Sequence, residues 1–315
     1  MREAHGADAE ASIVSKTASA MKPGEWKELK SDGYTPELMR GEDILAYSGR
    51  AAWDAVSRQA LFIGQVHLKG PPVFIAYSAK ANAWRRMPTP KWAERLKWFH
   101  AYENNAADSE RGVFYHHSSD SRKVHRYDVA KEEWTTLPDL DGPTGHGTAL
   151  EYFPERKGLV RVLGGKVWFW SEAKNAWSLL ADKLDMGPYH NFAAYSPKHK
   201  LVLFGGGNDS RAIYRLDAEG KIGAGKPAPV YLGIGRSLQV IDPVTGELLV
   251  LAKGGTFHAY DAAKDEWRES PRRVPFPKYG GHSVSAVAMR DEGVVLFFSS
   301  RPQGMKVFVY KHAGR

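Results

Sequence analysis

Residues 257–270 read FHAYDAAKDEWRES, and residues 124–136 read VHRYDVAKEEWTT. In each, an aromatic residue is followed seven positions later by tryptophan, Tyr260 by Trp267 and Tyr127 by Trp134. The same step joins Tyr77 to Trp84 in YSAKANAW and Trp170 to Trp177 in WSEAKNAW. A degenerate copy, YRLDAEGKI, puts Leu216 in the aromatic place and has no tryptophan after it. The last copy, VFVYKH, reaches Tyr310 with no room left for one.

The aromatic positions 77, 127, 170, 216, 260 and 310 are separated by 50, 43, 46, 44 and 50 residues. Each period also holds a strand such as NFAAYSP or SLQVIDP, a Pro- or Gly-bearing turn, and a run such as LVRVLGG, LVLFGGG or VVLFFSS. Short β-branched and aromatic runs bounded by Gly, Pro and Asp are strand signals. Four strands in a period near 46 predict a β-propeller of six blades. These fall at about 42–88, 93–138, 145–181, 188–230, 235–271 and 280–312. The tryptophan missing from the last copy is found as Trp26 in PGEWKELK, so residues 23–30 are expected to complete the final blade and close the ring. Residues 23–315 then make one propeller. Residues 1–22 stand outside the repeat as an Ala-rich extension, flexible or briefly helical. Their start lacks the basic and apolar regions of a signal peptide.

The Tyr-Asp-x5-Trp unit (Tyr127, Asp128, Trp134; Tyr260, Asp261, Trp267) and the Gly pairs Gly164–Gly165 and Gly205–Gly206 resemble the kelch-repeat propellers of the galactose oxidase/kelch-like superfamily. Blade five carries its pair later, at Gly254–Gly255, and blades one, two and six lack it, which marks a divergent pattern. The resemblance implies an all-β fold of four-stranded blades. It also implies a protein-recognition mouth, often one that grips acidic segments through arginine.

Composition narrows the chemistry. The chain has 315 residues and no cysteine, which removes disulfides, thiolate zinc sites and thiol nucleophiles. It also excludes the copper oxidase site of the galactose oxidase type, whose crosslinked cofactor needs Cys. The net charge of +8 suits an anionic partner without a basic arm. No apolar run approaches the roughly 18–20 residues of a membrane helix, so no membrane insertion is expected.

Aligned on the turn after the first strand of each blade, six residues recur: Arg50, His100, His146, His190, Arg236 and His282. Four of the 12 histidines take part. Side chains gathered at the axis would need depressed imidazole pKa values, an anion or a bound divalent metal. A structural reading stands beside this one, since repeats reuse a residue for the same backbone bond. Loops 85–97 and 268–280 carry net charges of +4 and +3, and Trp92, Trp98, Tyr102, Tyr189, Tyr231 and Tyr279 lie near the same mouth.

Two functions follow. In one, an anionic carbohydrate, a uronate or sulfated polysaccharide, sits in the axial funnel and is cleaved by β-elimination. Arg50 and Arg236, with Tyr279, Trp98 and Tyr102, would bind substrate. His190 or Tyr189 would take the proton, with His100, His146 and His282 as alternatives. In the other, the propeller is a non-catalytic binder of an acidic protein segment or a part of a larger assembly. Paired-carboxylate hydrolysis is disfavoured because Asp54, Glu103 and Glu151 are the only acids near the aligned strands. Nucleic acid is an improbable partner, since no aromatic-basic face is evident. Analogy with carbohydrate-active propellers favours an extracellular or periplasmic location.

Overall fold

The computed structural model describes residues 12–39, 45, 49–64, 72–94, 100–118, 121–145, 147–271, 273–276, 284–300 and 304–314. Strand β1 is Trp26–Leu29. The first blade is β2 (Ala52–Asp54), β3 (Gln59–Gly64), β4 (Val73–Ser78) and β5 (Ala83–Arg86). The second is β6 (Asn105–Asp108), β7 (Val113–His117), β8 (Val124–Asp128) and β9 (Glu133–Thr136). The third is β10 (Ala149–Phe153), β11 (Gly158–Leu163), β12 (Lys166–Ser171) and β13 (Ala176–Ala181). The fourth is β14 (Asn191–Ser196), β15 (Leu201–Gly206), β16 (Ile213–Leu216) and β17 (Ile222–Ala224). The fifth is β18 (Ser237–Ile241), β19 (Leu248–Ala252), β20 (Phe257–Asp261) and β21 (Glu266–Ser270). The sixth is β22 (Val284–Met289), β23 (Val294–Ser299) and β24 (Lys306–Tyr310), completed by β1. All pairings within the blades are antiparallel, and the innermost strands touch in the cyclic order β2, β6, β10, β14, β18, β22 and back to β2. The fold is a closed six-bladed β-propeller.

The seven-residue step is the outer hairpin of each blade. Its aromatic and its tryptophan are direct cross-strand partners in Tyr77–Trp84, Tyr127–Trp134, Trp170–Trp177 and Tyr260–Trp267. Such pairs stabilise a sheet face. The turn between them needs a left-handed residue, supplied by Asn82, Glu132, Asn175 and Asp265. Asp261 caps one such turn by accepting from the Ala263 and Lys264 amides. The indoles then reach sideways. Trp177 donates to the Pro138 carbonyl at 3.1 Å and Trp267 to that of Lys226 at 2.8 Å. Tryptophan therefore fastens the third and fifth blades to the loops before them.

The sixth blade uses the same pair split between the chain ends. Trp26 lies opposite Tyr310, with ring centroids 4.3 Å apart, and packs on Phe276 and Phe297. Ahead of β1, helix α1 (Ile13–Ala20) is capped by Ser12, whose hydroxyl accepts from the Ser15 amide. Val14 and Ala18 are buried in the core of the first and sixth blades. Ser15 bonds Glu292, which also pairs with Arg58, and Lys311 donates to the Ala18 carbonyl. The helical part of the extension is thus docked where the ring closes. Met1–Ala11 lie outside the described residues.

Candidate functional site

The inner strands bring the aligned residues to the axis at different heights. Each inner hairpin closes on a defined pair: Asp54–Gln59, Asp108–Val113, Ser196–Leu201 and Ile241–Leu248. Counted back from those pairs, Arg50 stands four residues ahead, Arg236 five, His190 six and His100 eight. The chain bends on its way into these strands. Tyr102 and His190 take positive φ values of 34° and 67°, and Gly235 precedes Arg236 at 94°. The aligned residues therefore stand at unequal distances from their turns and at unequal heights. His146, His282, Trp98 and Tyr279 lie outside the described residues.

Four of the expected residues do meet, at the mouth where the inner strands begin. His100 is buried, with its ring 4.8 Å from that of Tyr102. The Tyr102 and Tyr189 hydroxyls are 3.0 Å apart. The His190 ring lies 4.6 Å from Tyr102 and 3.9 Å from Tyr189, and its Nδ1 is 2.8 Å from Asn208 Oδ1. A side chain at Gly233 would collide with the His190 carbonyl. Left-handed Tyr and His cost strain, which the surrounding contacts must offset. Arg236 is exposed beside this cluster and pairs with Asp209 at 2.6 Å. Tyr231 is exposed and carries the Arg211 guanidinium over its ring. Trp92, by contrast, is stacked on His125 at 3.9 Å and edged by Trp134, which makes it a packing residue.

Arg50 turns the other way, along the axis. Its guanidinium donates to Glu151 of the third blade and to the Ala193 carbonyl of the fourth. Glu151 also accepts from the Tyr152 and Tyr195 amides, each at 2.9 Å. Burial works against the Arg50 charge, but Glu151 and Glu103 outweigh it and raise the Arg50 pKa. Burial pushes Glu103 up to about 8; Arg50 opposes that rise and Glu151 adds to it. At neutral pH Glu103 is therefore mostly protonated.

Above this plug, toward the turns that close the inner hairpins, opens a cavity of about 470 Å³. Its wall includes Ala51, Ala52, Ala107, Ala194 and Ala286 beside the larger Trp53, Tyr152 and Tyr195. Into it project Arg50, Glu151 and Gln239, while Arg290 and Glu110 pair across 3.0 Å at its rim. Glu151 and Gln239 occupy the register position, two before the hairpin-closing residue, that Ala52, Ala106 and Ala194 fill elsewhere. Gln239 Nε2 donates to Ser237 Oγ at 2.6 Å, but Oε1 is buried with no partner. Asp54 does not join the axial group; it caps its own turn by accepting from the Val56 and Ser57 amides.

Among the described residues, no three His, Asp or Glu side chains are placed to hold a metal ion. The described part of the mouth pairs histidine with tyrosine and asparagine, and two of the four axial histidines, His146 and His282, lie outside the described residues. No helix among the described residues is long and apolar enough to cross a membrane.

No known family's sequence profile matches the chain, and no curated protein matches it. Solved structures do. A fungal alcohol oxidase of the AA5 family, in complex with copper, superposes with a TM-score of 0.55 at 12% identity, covering 91% of this chain and 76% of that one. A chain of a nidogen/laminin complex superposes with a TM-score of 0.52 at 11% identity, covering 71% and 79%. At these identities the likeness is one of fold alone.

Proposed function

We propose that this chain is a divergent kelch-type propeller that binds a saccharide-sized, hydroxyl-rich ligand end-on in its axial cavity. The observation that carries this reading is the unpaired amide end of Gln239 in a cavity whose wall combines alanines with Trp53, Tyr152 and Tyr195. Exchanging the amide nitrogen and oxygen leaves the other end unpaired, so either assignment calls for a partner. A sugar hydroxyl donates and accepts, and meets both cases. The volume falls within the usual range of small-molecule sites, about 300–1,000 Å³. The charge state favours a neutral ligand. Arg50 is already neutralised by Glu151, so a uronate entering this cavity would find no unpaired cation.

A second reading rests on the cluster of Tyr102, Tyr189 and His190 with Arg236 at the opposite mouth. It keeps the anionic carbohydrate and the elimination chemistry. There Arg236 would leave Asp209 for the substrate carboxylate. His190 or Tyr189 would take the C5 proton as the bond from C4 to the leaving oxygen breaks.

Calorimetric titration with neutral and with uronate oligosaccharides separates the two. Gln239→Met removes the unpaired amide from the cavity at nearly constant volume. The cavity reading expects neutral oligosaccharides to bind the wild type and to lose about tenfold in affinity in Gln239→Met. Binding restricted to uronates, unchanged in Gln239→Met and lost in His190→Asn, transfers the site to the opposite mouth. Absence of saccharide binding in the wild type refutes both.

A further inference from the structure

Arg161 lies in the middle of β11, opposite Leu150 on one side and Trp168 on the other. The corresponding residues of the fourth, fifth and sixth blades are Phe204, Leu251 and Phe297, opposite Ala193, Leu238 and Ala286. Those three are buried core. Arg161 is just as buried, at 0% exposure. A guanidinium therefore occupies a slot that the fourth, fifth and sixth blades fill with Phe or Leu; the second blade places His116 there, bonded to Asn105.

Its surroundings satisfy only part of it. Nη2 donates to the Pro143 carbonyl at 2.8 Å, and the group lies 4.8 Å from the centre of the Trp168 ring. Nε and Nη1 are buried without a hydrogen-bond partner. No ion pair with a carboxylate is formed among the described residues. Burial lowers the Arg161 pKa to about 9, which leaves it charged at neutral pH. Facing β11 from the second blade is His117, also 0% exposed. Its Nδ1 is 3.2 Å from Thr148 Oγ1. That hydroxyl gives its hydrogen to Asn104, so His117 Nδ1 donates and its Nε2 carries a bare lone pair. This Nε2 is buried without a partner. Burial, with Arg161 as the next cause, holds the His117 pKa far below its ordinary value.

A buried cation without an anion is among the costliest arrangements in a protein. Water alone would solvate Arg161 but leave its charge uncompensated. We propose that the interface of the second and third blades holds a buried monovalent anion of halide size against the free N–H groups of Arg161. One water beside the anion then donates one hydrogen to it and one to His117 Nε2, and the orphaned groups are satisfied together.

The probes are sodium bromide, chloride and gluconate at matched ionic strength, with thermal unfolding as the readout. The halides are expected to raise the midpoint by about 4 °C over gluconate once well above their dissociation constant. Arg161→Met, an apolar side chain in a slot that accepts Phe or Leu elsewhere, should abolish that difference and still unfold cooperatively. Crystals grown in bromide should give an anomalous peak at hydrogen-bond distance from Arg161. Equal midpoints for the wild type in all three salts, or an undiminished halide shift in Arg161→Met, overturn the proposal. Should the variant not fold, the bromide map of the wild type decides alone, and peaks confined to the surface refute the site.

Discussion

Arg50→Met tests the axial plug directly. Arg50 is the only described group that reaches from the first blade to both Glu151 and the Ala193 carbonyl. The pair is buried, at 18% side-chain exposure for Arg50 and 6% for Glu151. Removing the cation leaves Glu151 its two backbone donors but no counter-charge. Breaking a buried pair from one side costs about 3–5 kcal/mol. For a chain of this size that corresponds to a fall of roughly 5–8 °C in midpoint. Arg50 is also what restrains Glu103, so the Glu103 carboxyl should remain protonated to higher pH in the variant. The double variant Arg50→Met/Glu151→Gln removes both charges. Tyr152 and Tyr195 bond different oxygens of Glu151, so the new amide keeps an oxygen for one of these backbone N–H groups and gives a nitrogen to the freed Ala193 carbonyl. The double variant should recover to within about 1–2 kcal/mol of wild type, a coupling of about 2–4 kcal/mol between the two sites. Urea unfolding at pH 7, followed by tryptophan fluorescence, reads all four corners of the cycle, and the urea slope should be unchanged. A loss below about 1 kcal/mol in Arg50→Met, or strict additivity in the double variant, would refute the plug.

Three further outcomes are expected. Burial raises the Glu247 carboxyl, but bonds from His312 and Arg268 outweigh it and hold the pKa at about 2 against an ordinary 4.5. Its contribution, at most about 3 kcal/mol, is therefore present above pH 4.5 and lost as pH falls toward 2; Glu247→Gln should flatten acid unfolding in that window. Glu103 has the opposite sign, because its folded pKa of about 8 lies above 4.5 and stability is lost as pH rises through that range. Glu103→Gln should match wild type near pH 4 and exceed it at pH 9 by a few kcal/mol in denaturant titrations; a constant offset at both pH values would count against a buried acid. Trp26→Ala removes the ring stacked on Tyr310 and packed against Phe276 and Phe297. It should cost about 3 kcal/mol and expose the β24 edge to limited proteolysis of the N-terminal segment; resistance equal to wild type would mean β1 does not close the ring through this contact.

The architecture was legible because its signal is local and repeated. An aromatic and a tryptophan seven apart are cross-strand partners around a four-residue turn, so the spacing that marks the repeat in sequence is itself the hairpin register. The fourth blade shows how far the signal can decay. Leu216 pairs with Ile222, and an aliphatic contact replaces the aromatic one without loss of the strand pair. Ring closure was legible for the same reason, since Trp26 completes the pair that Tyr310 begins.

The axis was harder to read because its residues arrive through bends. Counting back to a turn assumes that the inner strands begin alike, yet the left-handed residues Tyr102 and His190 shift the chain before the strand starts. Arg50 and His190, which stand four and six residues ahead of their hairpin-closing pairs, consequently face opposite mouths. The informative signal was instead a column. At one register of the inner strand, alanine recurs at Ala52, Ala106 and Ala194, the sixth blade has Val287, and the polar exceptions are Glu151 and Gln239. Small residues leave the space and the two polar exceptions give it chemistry. The same logic singles out Arg161, which stands where Phe204, Leu251 and Phe297 pack; the second blade also has a polar residue there, His116, but it bonds Asn105. In a repeat protein, a polar residue in an otherwise uniform buried column lacks the structural reason its neighbours share. Its burial cost must be offset by a specific partner. Glu151 has one in Arg50. For Gln239 and Arg161 the protein contacts do not suffice, and the ligand and the anion proposed here are the partners that would complete them.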